Sequence, residues 1–195
     1  QAEDGIRDSS TSRGLGDVYK RQVLGERIKV LTWPYAVKGL YALRNFAILD
    51  EKGEYLVKAN SYWFLMNTET GRPMRITDAD TDPYGEFNPK IEMEDAGRKI
   101  AVPKEMEETG RLVVMKHLLD TNLHVNNAQY VDIARELVPS GTEIGEIRAE
   151  YRKAAVLGDE IVVKSAREGR SHLVSLCNTN GDVFANIELK ERTQP

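Results

Sequence analysis

Alternating apolar and polar positions run along the first half of the chain from residue 23 onward. Strand-like stretches cover residues 25–35, 40–49 and 54–66, and a typical turn sequence, 50–53, separates the last two. Alternation with a period of two places successive side chains on opposite faces of an extended strand. We therefore predict an antiparallel meander of three strands in this half.

The second half repeats the strand pattern, but a helical stretch comes before it. From residue 127 to Val138, apolar side chains recur at helical spacing, and Pro139 to Gly141 ends the pattern. Asn180-Gly181 is a strong hairpin turn. Strands are predicted at 143–153, 159–167, 171–178 and 182–190.

Two pairs of segments indicate an internal repeat. Residues 25–30 resemble 158–163, and 53–60 resemble 181–186, with a similar displacement in each case. The second unit begins with a strand near residue 112, followed by its helix. Counterparts of these opening elements are not recognisable in the first half, so we expect the first unit to be incomplete and truncated at its N-terminus.

Domain boundaries follow from shifts in composition. The first 22 residues hold three glycines and a Ser/Thr cluster without a periodic apolar pattern, so we expect a non-native or disordered leader outside the fold. A later stretch is acidic, contains prolines and is weakly patterned, which is typical of a linker or crossover. The predicted divisions are 1–22 leader, 23–76 partial first unit of strands, 77–111 linker and 112–195 second unit.

Composition narrows the class of protein. The 195 residues carry a formal charge of -4, which gives no reason to expect nucleic acid as a partner. The single cysteine, Cys177, excludes an internal disulfide and fits a reducing cytoplasm. No apolar run approaches the length of a membrane span. No spacing typical of a zinc site or a phosphate-binding glycine loop occurs, so neither a metal nor an organic cofactor is expected.

The candidate chemistry lies just before the predicted helix. Asp120, Asn122 and His124 stand two residues apart, and on extended chain this spacing would place all three on one face. Asn126 and Asn127 then offer helix N-caps. The N–H groups at a helix N-terminus favour negative charge, as an oxyanion hole requires.

The string Asp-x-Asn-x-His-Val-Asn-Asn-x-x-Tyr resembles the active-site signature of hot-dog-fold acyl thioesterases. It is closest in form to the second half of the acyl-[acyl carrier protein] thioesterases of bacteria and plastids. Segments of the first half are similar to that family as well: 32–35, 38–40, 44–46, 58–61 and 70–73. The resemblance implies an α+β double hot-dog, in which each antiparallel sheet wraps around one long helix. The first hot-dog would be incomplete here.

The resemblance also implies the function. The expected reaction is hydrolysis of acyl-carrier-protein thioesters, which ends fatty-acid synthesis in a bacterial cytoplasm. The second unit would carry catalysis, and the first would shape the acyl pocket. The expected partner is acyl carrier protein with its acyl chain. Neither nucleic-acid binding nor membrane insertion is expected, and exposed sheet edges make a homodimer the candidate assembly.

Each site residue has an expected task under that resemblance. Asp120 would attack the thioester or activate water, Asn122 would hold substrate or water, and His124 would orient partners or move protons. The substrate and oxyanion contacts would come from the start of the helix. Those residues are Asn126, Asn127, Ala128 and Tyr130.

One departure from the family pattern leaves alternatives open. The family places a Glu, and in some plant members a neighbouring Cys, just after the segment that matches 151–153, where this chain has Ala154 and Ala155. Cys177 lies in another predicted strand, so a cysteine mechanism has no nucleophile. Glu150 is the candidate substitute for the Glu. The rival interpretations are a single-hot-dog acyl-CoA thioesterase and a catalytically impaired acyl-binding homologue.

Overall fold

The chain forms two compact units, Gln1–Ala96 (unit 1) and Gly97–Pro195 (unit 2). The computed structural model describes residues 25–67 and 69–193, together with the backbone of Ile6–Arg7 and Leu15–Val18. The boundary between the units falls inside the predicted linker. No helix in the described parts of the chain has the length and apolar character needed to cross a membrane.

Unit 1 is an antiparallel meander with an added strand. Its elements are β1 (Ile6–Arg7), β2 (Leu15–Val18), β3 (Lys29–Lys38), β4 (Tyr41–Leu49), β5 (Tyr55–Trp63), β6 (Leu65–Asn67), β7 (Arg72–Met74) and the one-turn helix α1 (Asp78–Thr81). The main sheet runs in the order β3-β4-β5-β2, and β1, β6 and β7 form a small second sheet. The predicted meander is confirmed, since β4 pairs antiparallel with both β3 and β5.

Two of these strands lie within the range predicted to be a leader. The backbone of β2 pairs with β5, with Leu15 opposite Asn60, and β1 pairs with β6. These segments therefore differ from the expectation that residues 1–22 stay outside the fold. The rest of that range lies outside the described residues, and its non-native origin stays a prediction.

Unit 2 is a five-stranded antiparallel sheet with one helix. Its elements are β8 (Glu107–Val113), α2 (Asn127–Arg135), β9 (Ile144–Tyr151), β10 (Glu160–Glu168), β11 (Ser171–Cys177) and β12 (Val183–Glu191). The strand order is β9-β12-β11-β10-β8. All four strands predicted after the helix are confirmed. The helix is shorter than predicted, because its last turn tightens into i→i+3 bonds at Leu137 and Val138.

The core of unit 2 lies between α2 and one face of this sheet. Tyr130 and Ala134 of the helix are 1% and 0% exposed, as expected for positions four apart on one helical face. The strands contribute alternate residues, including Leu176 and Ile187, both 0% exposed. The prediction of a sheet packed against a helix is therefore confirmed for this unit.

The predicted linker is more ordered than its composition suggested. In unit 1, Ile91 is buried and its N–H donates to Asn45 Oδ1 at 3.0 Å. In unit 2, Ile100 is buried and its N–H donates to Glu150 Oε2 at 2.9 Å. Residues 107–111 belong to β8. The segment 77–111, predicted as a linker or crossover, thus ends in the first residues of β8, and side chains of the sheets fix its backbone at these two isoleucines.

The two meanders repeat one another, which supports the predicted duplication. In unit 1 the order is β3-β4-β5 with β2 beyond, and in unit 2 it is β10-β11-β12 with β9 beyond. Asn60 and Asn186 occupy matching positions on β5 and β12. Asn60 accepts from the Tyr35 hydroxyl at 2.7 Å, whereas neither side-chain polar atom of Asn186 has a hydrogen-bond partner in the described part of the chain.

Candidate active site

The loop that carries Asp120, Asn122 and His124 is a tight turn rather than extended chain. Asp120 N–H donates to the His124 carbonyl at 2.8 Å, and Leu119 pairs antiparallel with Val125. The alternation used to place the three side chains on one face therefore does not apply. The turn itself brings the two ends of the motif together.

The Asp120 carboxylate builds this turn. Its Oδ1 accepts the N–H of Asn122 at 2.8 Å and that of His124 at 3.2 Å. Asp side chains commonly form such bonds to the backbone two residues ahead, and these bonds compete with strand pairing. A local hydrogen bond thus replaces the expected strand.

Exposure differs among the three predicted catalytic residues. Asn122 and His124 are exposed, and Asp120 is half-buried. Within this described loop, no hydrogen bond or ion pair joins the three side chains to one another. The structure therefore brings them together through backbone contacts and leaves the amide and the imidazole open to a ligand.

The helix begins where the sequence predicted. Asn126 is the N-cap of α2, and its Oδ1 accepts the Ala128 N–H at 2.9 Å. The Gln129 N–H donates to the Asn126 carbonyl at 2.9 Å. The N–H of Ala128, one of the expected oxyanion donors, is therefore already used within the cap, and the Asn126 N–H donates to the Leu118 carbonyl at 2.8 Å. Asn127 is the first helical residue, and its N–H has no acceptor inside the helix.

Two tyrosines make hydrogen bonds near the N-terminus of α2. The Tyr151 hydroxyl donates to the Asn127 carbonyl at 2.9 Å, and its ring centroid lies 5.8 Å from that of Tyr130. The Tyr130 oxygen accepts the Ala155 N–H at 3.0 Å. Burial raises the pKa of both phenols, so both stay protonated at neutral pH.

These contacts change the interpretation of both tyrosines. Tyr130 was predicted to touch substrate, but it is 1% exposed and belongs to the core beneath the loop. Tyr151 was not predicted as part of the site. A phenol at the end of a strand gives no sequence signal, since its partner is a backbone carbonyl far away in the chain.

The segment that departs from the family pattern lies beside the loop. Val125 N–H donates to the Ala155 carbonyl at 2.9 Å, and His124 pairs antiparallel with Val156. Ala155 is fully buried, whereas Ala154 is exposed. Methyl groups therefore stand next to the imidazole-bearing segment, where a carboxylate was expected from the resemblance.

Glu150 does not fill that gap. Tyr151 points toward α2, so its neighbour Glu150 points to the opposite face of the sheet. There Glu150 is 1% exposed, and it accepts from the Ile100 N–H and from Arg152 Nε at 3.1 Å. The strand ends at Tyr151, so the alternation that would have put Glu150 and Ala154 on one face is lost.

Unit 1 contains a separate apolar cavity of about 370 Å³. Its walls include Phe46, Trp63 and Phe87. Arg44 also lines it, and its guanidinium carbon lies 5.2 Å from the centroid of the Tyr84 ring. In the described part of the chain, no group of three or more His, Cys, Asp or Glu side chains is placed to hold a metal ion.

Two domain models of one protein family match most of the chain. The chain matches the acyl-ACP thioesterase N-terminal domain over residues 16–84 and the acyl-ACP thioesterase C-terminal domain over residues 102–190. The first match begins inside the range predicted to be a leader. The candidate loop and α2 fall in the second match.

Similar plant proteins carry the same family name. A palmitoyl-acyl carrier protein thioesterase of Cuphea hookeriana is 31% identical over 155 residues, which are 72% of this chain and 36% of that protein. Oleoyl-acyl carrier protein thioesterase 2 of Arabidopsis thaliana is 27% identical over 192 residues, covering 90% of this chain and 52% of that protein. The chain thus spans about half the length of these relatives, or less.

Solved structures show the same fold. The 12:0-ACP thioesterase from Umbellularia californica has a TM-score of 0.83 at 23% identity, over 97% of this chain and 76% of that one. An acyl-ACP thioesterase from Bacteroides thetaiotaomicron has a TM-score of 0.79 at 21% identity, over 93% and 75%. With both domains of one family matched in order, the chain belongs to the acyl-ACP thioesterase family and has its double hot-dog fold.

Proposed function

We propose that this protein hydrolyses the thioester between an acyl chain and acyl carrier protein, releasing a free fatty acid and the carrier thiol. The observation that carries the proposal is the exposed amide and imidazole of Asn122 and His124 on a turn that leads directly into the N-terminus of α2. Membership of the acyl-ACP thioesterase family supports the choice of carrier protein as the leaving group.

In the proposed reaction, Asp120 acts as the general base. Its Oδ1 is engaged by the two loop N–H groups, so we assign Oδ2 to the attacking water. The water oxygen forms the new bond to the thioester carbon, and the water proton passes to the carboxylate. Because the same carboxylate also shapes the loop, base and loop are positioned together.

The developing oxyanion needs donors that are not already used. The Asn127 N–H meets that condition by its place in the helix, and the Asn122 side-chain amide supplies a second donor. When the intermediate collapses, the carbon–sulfur bond breaks and His124 gives a proton to the departing sulfur. Exchange with solvent returns Asp120 and His124 to their starting states, and the net reaction consumes one water.

The apolar cavity of unit 1 is the proposed place for the acyl chain. Aromatic and aliphatic walls such as Phe46 and Trp63 suit hydrocarbon, which a pocket binds by removing apolar surface from water. Chain termination in fatty-acid synthesis, the bacterial cytoplasmic location and the homodimer stay predictions. A single-unit acyl-CoA enzyme does not fit a chain that matches both domains of the family.

A second candidate function follows from Ala154 and Ala155. They occupy the position at which the family resemblance led us to expect a carboxylate, and Glu150 lies on the other face of the sheet. An acyl-binding protein with little or no turnover would have this arrangement. Binding of acyl carrier protein without release of fatty acid would favour this second function.

The test compares one acyl chain on two carriers. Purified protein is given the same acyl group on acyl carrier protein and on coenzyme A, and release of fatty acid is measured. We expect faster hydrolysis of the carrier-protein thioester and a loss of about 10²–10⁴-fold in His124→Ala, the usual range for a removed acid–base group. A clear coenzyme A preference, or full activity in His124→Ala, contradicts the proposal.

A further inference from the structure

Five exposed apolar side chains surround the loop that carries His124, and we call them the apolar rim. They are Val113, Met115, Leu123, Val156 and Leu157, with exposures of 53%, 58%, 70%, 43% and 52%. Single exposed apolar residues need no explanation, but a group of them next to a candidate active site indicates a binding surface.

Hydrogen bonds bring the three segments of the rim together. The Val114 N–H donates to the Asp159 carbonyl at 2.9 Å, and the Gly158 N–H donates to the Val114 carbonyl at 3.0 Å. Val114 itself is buried at 1% exposure, so its neighbours in the strand direction point outward. The antiparallel pairing of His124 with Val156 places Leu123 and Leu157 one residue beyond a paired position.

Leu123 is an unusual choice at its position. Its φ is +62°, a left-handed conformation that bulky residues rarely adopt and that Gly or Asn would take more easily. The side chain gains no burial in return, since it is the most exposed member of the rim. A strained, exposed leucine between Asn122 and His124 therefore indicates a contact outside this chain.

Two lysines lie beside the rim. Lys116 follows Met115 directly, and Lys153 precedes the rim segment at Val156; both lysines are exposed. Neither lysine takes part in an ion pair among the described residues. The neighbouring Asp159 carboxylate accepts the Val156 N–H at 2.9 Å and so is turned onto its own loop. An acidic partner would meet free ammonium groups here.

We propose that the apolar rim, with Lys116 and Lys153, is the docking surface for the protein part of the substrate, the acidic acyl carrier protein. This inference rests on the proposed function and adds the surface by which the enzyme distinguishes a carrier-bound acyl chain from the same chain on a small thiol. The rim is continuous with the candidate active site through Leu123, so a docked carrier protein delivers its thioester to the loop.

Charge-introducing variants of the rim test the proposal. We compare Met115→Asp and Leu157→Asp with the matched control Val30→Asp, because Val30 is 68% exposed on β3 of unit 1. Each is assayed for hydrolysis of acyl carrier protein thioester and of the acyl thioester of N-acetylcysteamine, which has no protein part. Binding of holo-carrier protein is measured separately by fluorescence anisotropy, and a thermal melt checks the fold.

The expected result is a selective loss. Removing the burial of one such side chain changes an equilibrium constant by roughly tenfold or more, so we expect KM for the carrier-protein substrate and the Kd for holo-carrier protein to rise about tenfold. Activity on the N-acetylcysteamine thioester and the behaviour of Val30→Asp should stay unchanged. Lys153→Glu should weaken binding of the acidic carrier protein by like-charge repulsion. Recovery of that binding on adding salt would support charge complementarity.

Other outcomes overturn the proposal. Unchanged binding in both rim variants excludes docking at the rim, and an equal loss on both substrates assigns these residues to the fold or the chemistry. Co-sedimentation with phosphatidylglycerol vesicles that the same variants abolish, with carrier binding unaffected, assigns the rim to a membrane surface. A wild-type protein that binds carrier protein through the rim without hydrolysing its thioester refutes the proposed function and leaves the docking inference standing.

Discussion

Unit 1 and unit 2 share a meander, and they differ in what covers one face of it. In unit 2, α2 packs on the sheet and leaves residues such as Ile187 fully buried. In unit 1, the face that carries Phe46 and Trp63 lines a cavity instead. Equivalent strands thus line a closed core in unit 2 and an apolar cavity in unit 1, which fits the proposed division into a catalytic half and a substrate-binding half.

Turns in the two units share one pattern of side-chain to backbone hydrogen bonds. Asp50 Oδ1 accepts the N–H groups of residues 52 and 54, and Asn178 Oδ1 accepts those of residues 180 and 182. Asp120 Oδ1 makes the same two bonds, to residues 122 and 124. The hydrogen-bonding pattern is therefore ordinary turn chemistry. What distinguishes the loop at Asp120 is the exposed imidazole of His124 and the helix α2 that follows.

The largest expected effect is the loss of hydrolysis in Asp120→Asn. It distinguishes a catalytic Asp120 from one that only shapes the loop. Asn178 shows that an amide oxygen can hold this turn, so Asp120→Asn should keep the loop and remove only the base. We expect hydrolysis to fall about 10²–10⁴-fold with an unchanged melting temperature. The matched control Asp50→Asn should leave both unchanged. Full activity in Asp120→Asn would assign the carboxylate to the turn alone.

A smaller effect is expected from removing apolar side chains in each unit. Ile187→Ala leaves a cavity in the closed core of unit 2 and should lower the free energy of unfolding by about 2–5 kcal/mol. Phe46→Ala in unit 1 removes a half-buried cavity wall, so its cost should stay below about 2 kcal/mol. Urea denaturation of both variants checks this order. Equal losses would mean that the two faces are packed alike.

The hydrogen bonds that hold the crossover at Ile91 and Ile100 should contribute less to the free energy of unfolding than the core side chain of Ile187. Glu150→Ala leaves the buried N–H of Ile100 without its acceptor, at a cost of about 1–3 kcal/mol, while Glu150→Gln keeps an acceptor and serves as the control. Asn45→Ala should do the same to Ile91 in unit 1. Hydrogen exchange at the two isoleucine amides reports each anchor. Unaltered protection in the alanine variants contradicts these assignments.

The smallest effect concerns Tyr151. Tyr151→Phe keeps the ring but removes the hydroxyl bond to Asn127, and we expect a cost of about 0.5–1.5 kcal/mol in the free energy of unfolding at neutral pH. Burial raises the pKa of this phenol in the folded state. Its contribution is therefore fully present below the unfolded pKa of about 10 and is lost as the pH rises through the higher folded value.

A pH series of denaturation curves measures that loss. Wild-type protein should become less stable above about pH 10, and Tyr151→Phe should lose less over the same range. Tyr35→Phe in unit 1 is the comparison, since burial raises the pKa of Tyr35 to about 12. Parallel alkaline losses in wild type and Tyr151→Phe would show that this phenol does not titrate on unfolding.

Period-two alternation was sufficient to predict β3 to β5 in unit 1 and β9 to β12 in unit 2, because strand faces are set by local pattern, but it did not reveal β1, β2 or most of β8. The meander with its turn at Gly53 and the hairpin at Asn180-Gly181 appear nearly where predicted. The start of α2 was also predictable, since Asn126 caps it by a bond within its own turn. Short-range hydrogen bonding explains these successes.

The parts that the sequence did not reveal depend on distant contacts or on competing local ones. Tyr151 and Glu150 are neighbours in sequence, yet one reaches the helix and the other the crossover, and no local pattern indicates those partners. Asp120 was placed on extended chain because its spacing with His124 also fits a strand. The turn prevailed because its carboxylate could bond to two N–H groups at once.

The two hydrogen bonds that hold the crossover, residues 77–111, determine how freely the sequence of this segment can vary. Main-chain groups of Ile91 and Ile100 make the bonds, and the acceptors belong to Asn45 and Glu150 on the sheets. The path of the segment is thus set by the sheet residues beneath it. Substitutions among its many outward-facing acidic residues should be tolerated, and the connection can drift in composition while its course over each sheet is preserved.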